Sequence, residues 1–143
     1  MEDLSLHILD VVENSIRAGA TEVNVRLTEN RAADLLTLEI GDDGQGMDEA
    51  TKRRCLDPFF TTKEGKYVGL GLSFLSQSAE EAGGELIVET TKGKGTKIIA
   101  IYRLNHIDRR PLGDLDGTIR CLKETHPEIK FFYEFVSINF QRK

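Results

Sequence analysis

Cysteine is scarce. The 143 residues hold two, Cys55 and Cys121, with neither paired nor metal-like spacing. That pattern speaks against a disulfide scaffold or a cysteine-based metal site, and two ordinary reduced thiols fit the cytoplasm. No apolar run approaches the roughly 20 residues a membrane helix needs. The N-terminus, Met-Glu-Asp-Leu-Ser-Leu, lacks both the basic region and the apolar core of a signal peptide. Positive charge is in deficit: 19 Lys and Arg against 24 Asp and Glu give a net charge of −5. No global basic field therefore attracts DNA, RNA or anionic lipid, so neither nucleic acid nor membrane is expected as a partner. Internal repeats and low-complexity segments are also missing. What remains is a length that favours one domain and can bury a core.

Residues 4–18 carry a helical pattern. At 100° per residue, Leu4, Ile8, Leu9, Val11, Val12 and Ile16 fall on one side, and His7, Asp10, Glu13, Asn14 and Arg17 on the other. Ala18-Gly19-Ala20 stops the helix, with Gly19 as its C-cap. Val23–Leu27 alternates like a strand, and Leu35–Ile40 is a second strand after a polar turn near Asn30. Asp48 can cap a helix running to about Leu56, which Asp57-Pro58 breaks. Residues 61–68 read as a polar loop. Gly69 to Ala82 reads as a helix ended by Gly83-Gly84. Glu85–Thr90 and Thr96–Leu104 form a hairpin around Lys92–Gly95. Beyond Arg103 come a linker at Arg109–Gly113, a helix from Asp114 to about Thr125, and an aromatic strand over Ile129–Phe140. Short turns between neighbouring strands imply largely antiparallel pairing. One apolar face per helix implies helices layered on one side of the sheet. The expected fold is α+β.

Four boxes carry the chemistry. In Asp10-Val-Val-Glu13-Asn14-Ser-Ile-Arg17, the residues Asp10, Asn14 and Arg17 lie about one turn apart and share a polar face. Asp42-Asp43-Gly44-Gln45-Gly46-Met47 follows an apolar strand, and its glycines allow a tight turn. Asp57-Pro58-Phe59-Phe60-Thr61-Thr62-Lys63 precedes the loop. Gly69-Leu70-Gly71-Leu72 opens a helix, whose free N–H groups suit phosphate oxygens. It is not the Walker loop, because the required Gly-Lys-Ser/Thr is absent. It does not follow a strand, as a dinucleotide fingerprint must. Taken singly, these are an amphipathic helix, a glycine turn, a loop lysine and a helix cap.

Taken together and in this order, they resemble the ATPase superfamily of DNA gyrase, the mismatch-repair ATPases, the large heat-shock chaperones and the sensor histidine kinases. The resemblance covers about residues 4–104. It implies a two-layer sandwich of the Bergerat type, with a mixed, mainly antiparallel sheet and helices on one face. It implies ATP and Mg²⁺ as ligands. Asn14 matches the asparagine whose side-chain oxygen binds the magnesium, and Arg17 shares its face. Asp42 would accept a hydrogen bond from the adenine amino group, with Gly44, Gly46 and Met47 shaping the turn. Phe60 would anchor the base of a lid, and Lys63 would contact phosphate. Gly69, Leu70, Gly71 and Leu72 would receive the phosphates. Gly93-Lys94-Gly95-Thr96 matches the last box, where Thr96 would add a hydrogen bond near the adenine.

Two departures matter. The gyrase-like branch has a glutamate as general base four residues before the asparagine, where this chain has Asp10. Glu13 is the other candidate base. The lid is short for a histidine kinase, with eight residues from Thr61 to Val68.

Six residues precede His7, so no phosphoaccepting helical hairpin is expected before the ATP domain. His7 itself is expected at the surface or behind the site. Residues 1–104 are expected to form the ATP-binding domain, with 105–143 a helix–strand extension packing on it. Asn105–Gly113 resembles small stand-alone bacterial ATP-binding proteins, some linked to iron-hydrogenase gene clusters. Three functions stay open: a stand-alone kinase acting on a separate protein partner, an ATP-dependent switch, and a binding module without catalysis. The aromatic strand either extends the sheet or forms a partner or homodimer surface.

Overall fold

The computed structural model describes residues 4–56, 70–105 and 114–138. Among the described residues four helices and five strands follow in the order α1 (Leu4–Arg17), β1 (Glu22–Asn30), β2 (Leu35–Asp42), α2 (Glu49–Leu56), α3 (Leu70–Glu81), β3 (Glu85–Thr91), β4 (Gly95–Arg103), α4 (Leu115–Thr125) and β5 (Lys130–Ile138). The elements expected from periodicity are present, with ends shifted by up to three residues, as where β1 runs on from Leu27 to Asn30. The Pro58 break, the 61–68 loop and the 109–113 linker lie outside the described residues.

Local chemistry sets the boundaries. Ala20 N–H reaches back to the Ser15 carbonyl at 3.1 Å, closing α1 over Gly19, whose φ is +87°. Gly84 N–H does the same to Ala79 at 2.8 Å and ends α3. Asp48 caps α2 by accepting from Thr51 N–H at 2.8 Å, and Asp114 caps α4 through Gly117 N–H at 2.9 Å. Asn30 makes the β1–β2 turn by accepting from Ala33 N–H at 3.0 Å.

The strands form one sheet in the order β3-β4-β2-β1-β5. Pairing is antiparallel for β1–β2, β2–β4 and β3–β4, and parallel for β1–β5. The architecture is α+β with a mixed sheet. Alternation decides which face is covered. Val23, Val25 and Leu27 of β1, Leu36, Leu38 and Ile40 of β2, and Ile98, Ala100 and Tyr102 of β4 are buried. They meet Ile8, Val11 and Val12 of α1, Leu72, Leu75 and Ala79 of α3, and Leu115, Ile119 and Leu122 of α4 in one core. Each fully buried large aliphatic contributes about 1.5–3 kcal/mol. The opposite face carries Arg26, Glu39, Lys97 and Glu134. They are linked as Arg26–Glu134 at 3.5 Å and Lys97–Glu39 at 3.3 Å.

His7 departs from expectation. The helical wheel sets it among the polar residues, yet it is only 3% exposed. It lies on the flank of α1 that α3 covers, and its ring meets that of Phe74 at 6.0 Å. The aromatic strand extends the sheet: Phe131 pairs with Val23 and is buried.

Candidate functional site

The Asp42–Met47 turn is built from several directions. Asp42 ends β2 on the helix-covered face, and its carboxylate reaches α1. Ser15 Oγ donates to Asp42 Oδ2 at 2.7 Å, and Gly44 N–H donates to Oδ1 at 2.8 Å. Ser15 is buried, and its hydroxyl also lies 3.3 Å from the Val11 carbonyl. The carboxylate is the shorter and charged acceptor, so it takes the larger share of that proton. Each carboxylate oxygen keeps a further lone pair, so Asp42 is a fixed acceptor with capacity for an incoming amino group.

The rest of the turn is tied to its surroundings through the backbone. Gln45 N–H donates to the Ala18 carbonyl at 3.0 Å, and Gly93 N–H donates to the Gln45 carbonyl. Met47 N–H donates to Thr90 Oγ1 at 2.9 Å, and Thr90 Oγ1 lies 2.8 Å from Thr96 Oγ1. Thr96 is the cross-strand partner of Asp42. Two glycines are required. Gly46 has φ +69° and a Cβ there would strike the Thr91 carbonyl; Gly95 has φ +98° and a Cβ would strike the Asp42 carbonyl.

Asp43 points away from Asp42. It accepts from Thr21 N–H at 2.8 Å, Thr21 Oγ1 at 2.6 Å and Glu22 N–H at 2.9 Å. These bonds, led by the Thr21 hydroxyl, hold its carboxyl below the usual aspartate value. Asp43 therefore fastens the turn to the start of β1.

The second group lies on α1. Asn14 is half-buried, and its Oδ1 accepts from Arg17 Nη1 at 3.2 Å; Arg17 is exposed near the helix end. Asp10 is half-buried one turn earlier on the same stripe. Glu13 turns toward α4, where its Oε1 lies 3.3 Å from His126 Nε2. The same imidazole has Glu128 3.7 Å from Nδ1. The two candidate bases thus stand in different surroundings.

Asp42, Thr96, Gly44, Gly46 and Met47 are brought together, and Ser15, the residue beside Asn14, connects them to α1. Leu72 is buried in the core, so only its backbone could face a ligand. Leu70 and Gly71 begin α3. Phe60, Lys63 and Gly69 lie outside the described residues. Ser15, Thr90 and Asp43 are absent from the sequence-derived site. Ser15 had a signal: a hydroxyl on the apolar side of α1, between Val12 and Ile16, needs a buried partner. A depression of about 490 Å³ opens at the same end of the sheet, lined by Glu22, Asn24, Glu89 and Lys97 together with Asp42, Lys94 and Thr96. The Asp42 carboxylate itself bonds to α1. The α1 side is therefore the better candidate for a base-binding site.

Comparison with known proteins agrees with this geometry. Residues 2–106 match the family model described as histidine kinase-, DNA gyrase B- and HSP90-like ATPase. Sporulation kinase E of Bacillus subtilis is 35% identical over 105 residues, which is 71% of this chain and 14% of that protein. Sensor histidine kinase CitA of Klebsiella pneumoniae is 31% identical over 97 residues, 67% of this chain and 18% of that protein. The chain thus spans less than a fifth of the length of these relatives. Among solved structures, the Aquifex aeolicus MutL ATPase domain complexed with ADP shares the fold. Its TM-score is 0.52 at 17% identity, over 94% of this chain and 60% of that one. With the family model matched across most of its length, the chain belongs to the histidine kinase-, DNA gyrase B- and HSP90-like ATPase family.

Proposed function

We propose that this chain binds Mg-ATP and transfers the γ-phosphoryl group to a histidine or serine of a separate protein. One observation carries the reading: the Ser15–Asp42 hydrogen bond of 2.7 Å. It fixes the acceptor for an adenine amino group against the residue that follows Asn14. Base recognition and phosphate chemistry then share one rigid piece of α1. Asp42 would read the adenine amino group, with Thr96 and Thr90 beside it and Gly44, Gly46 and Met47 forming the wall. Gly69, Leu70, Gly71 and Leu72 would offer backbone N–H groups to the phosphates, Lys63 and Arg17 would contact the bound nucleotide, and Phe60 would anchor the base of the lid.

The donors present suit magnesium. Asn14 would supply an amide oxygen, and the metal would take its remaining ligands from phosphate and water. Among the described residues no cluster of three His, Cys, Asp or Glu forms a metal cage. Asn14 would hold the ion, which would neutralise phosphate charge. In transfer, the acceptor's nitrogen or oxygen bonds to the γ-phosphorus as the bond to the β–γ bridging oxygen breaks. ADP leaves, and Asp10 or Glu13 would take the acceptor's proton, Glu13 only after parting from His126. The names of both relatives, a sporulation kinase and a sensor histidine kinase, favour phosphotransfer.

One observation favours a second reading, an ATP-dependent switch with slow or no hydrolysis. Glu13 is next to Asn14 and pairs with His126 at the end of α4. A ligand at Asn14 would disturb that pair and so the seat of α4. Calorimetric titration with Mg-ATP tests both readings, and no binding refutes both. Incubation with γ-labelled ATP and co-purified proteins separates them. Label on a partner supports the kinase; free phosphate alone, or binding alone, supports the switch.

A further inference from the structure

The two edges of the sheet differ. β3 closes one side with the exposed acids Glu85 and Glu89, a charge pattern that discourages strand addition. β5 closes the other, and three of the four exposed large hydrophobics among the described residues lie on it: Phe132, Phe135 and Ile138, at 52%, 47% and 41% exposure. Its backbone is half used. Lys130 N–H donates to the Thr21 carbonyl and the Ile138 carbonyl accepts from Arg31 N–H, so the even-numbered residues bond toward β1. By alternation, the N–H and C=O groups of Phe131, Tyr133, Phe135 and Ser137 point outward.

We propose that this edge pairs with β5 of a second copy, antiparallel about a twofold axis at Phe135. The sequence of the strand selects the register. Centring on Phe135 sets Phe135 against its own copy and Tyr133 against Ser137. Both pairs consist of outward-facing residues, so each exchanges two backbone hydrogen bonds. On the open face Phe132 meets Ile138 and Glu134 meets Val136. Every exposed large hydrophobic of the strand thereby gains an apolar partner. Shifting the axis to Glu134 sets that carboxylate against its own copy, and like charges directly opposite are destabilising. Shifting it to Tyr133 places Phe132 against Glu134. Shifting it to Val136 places Ile138 against Glu134 and removes Phe132 from the described overlap. In the favoured register Glu134 is already neutralised by Arg26 at 3.5 Å on the same face. The strand carries one Lys and one Glu in a chain of net charge −5, so self-association is least opposed here. A twofold contact also closes on itself, whereas head-to-tail pairing would propagate.

The apolar area on offer is roughly 300 Å² per copy, half of three large side chains. That falls short of the roughly 800 Å² per partner of a standard interface. The dimer is therefore reversible, with dissociation on the order of 100 µM. The proposal stands apart from nucleotide binding.

Sedimentation equilibrium of the full chain from about 5 to 500 µM tests it. The expected result is a mass rising from one chain toward two, with Phe135→Lys holding the protein monomeric at every concentration and its circular dichroism unchanged. Should Phe135→Lys fail to fold, cysteine trapping decides. In a Cys55→Ser, Cys121→Ser background, Phe135→Cys cross-links on mild oxidation and Val136→Cys does not. A monomer throughout, as for an edge that takes another protein's strand, overturns the proposal. So does a dimer that survives Phe135→Lys, an assembly larger than two, or cross-linking through Val136→Cys.

Discussion

The Asp42–Met47 turn meets α1 through Ser15, the neighbour of Asn14, but the turn and the polar stripe of α1 are built differently. The turn is braced from four sides, by Ser15, Ala18, Thr90 and Gly93, and almost every brace involves a backbone group. The stripe depends on side chains of one helix. The contact between Asn14 and Arg17 is a 3.2 Å bond at the surface. A backbone-braced pocket is fixed before its ligand arrives, which suits recognition of a rigid base. A stripe of side chains can rearrange around a flexible, charged triphosphate. On the proposed reading, selection of the nucleotide would rest on the fold, and handling of its phosphates on a few exchangeable residues.

Four substitutions test that contrast. Gly46→Ala should have the largest effect, because the new Cβ meets the Thr91 carbonyl at a φ of +69°. A loss of about 3 kcal/mol in urea unfolding is expected; a loss under about 1 kcal/mol would show that the turn yields. Asp42→Ala should weaken ATP binding about 100-fold, the worth of a charged hydrogen bond. It should also cost about 1–2 kcal/mol of stability, since the Ser15 hydroxyl and Gly44 N–H lose their acceptor. Calorimetry and urea melts report both, and a stability cost without an affinity cost would remove Asp42 from base recognition. Asn14→Ala should leave stability within about 0.5 kcal/mol. Its ATP affinity should no longer change when magnesium is removed by chelation, and a retained magnesium effect would break the contrast. The smallest effect is expected of Asp43→Asn. Hydrogen bonds depress the Asp43 pKa below 3.8. Its share of stability is therefore present above that unfolded value and disappears as pH falls through the folded one. The variant should lose less stability than the parent between about pH 5 and pH 2; parallel acid limbs would contradict this.

Elements were legible in the sequence because their signals are local. The 100° pattern of α1, the Asp48 and Asp114 caps and the glycine stops each act within a few residues. The clustering of Asp42, Thr96, Gly46 and Met47 followed from motif order. What escaped depends on contacts between distant segments. His7 is buried because α3 covers a flank that the wheel alone assigns to the polar side. Ser15 matters because Asp42 arrives beside it from β2. Asp43, which resembles a second ligand carboxylate, is occupied by Thr21 and Glu22. The parallel placement of β5 beside β1 has no local signature.

That placement also bears on the order of assembly. Antiparallel β1 and β2 are joined by a four-residue turn and can zip early. The β1–β5 pairing joins residues as far apart as Glu29 and Ser137, 108 positions along the chain. Such closure is entropically late. During synthesis the outer edge of β1, with Val23, Val25 and Leu27 on its inner face, stands open until α4 and β5 emerge. The time spent in that state, more than the stability of the finished sheet, will set how readily the nascent chain aggregates.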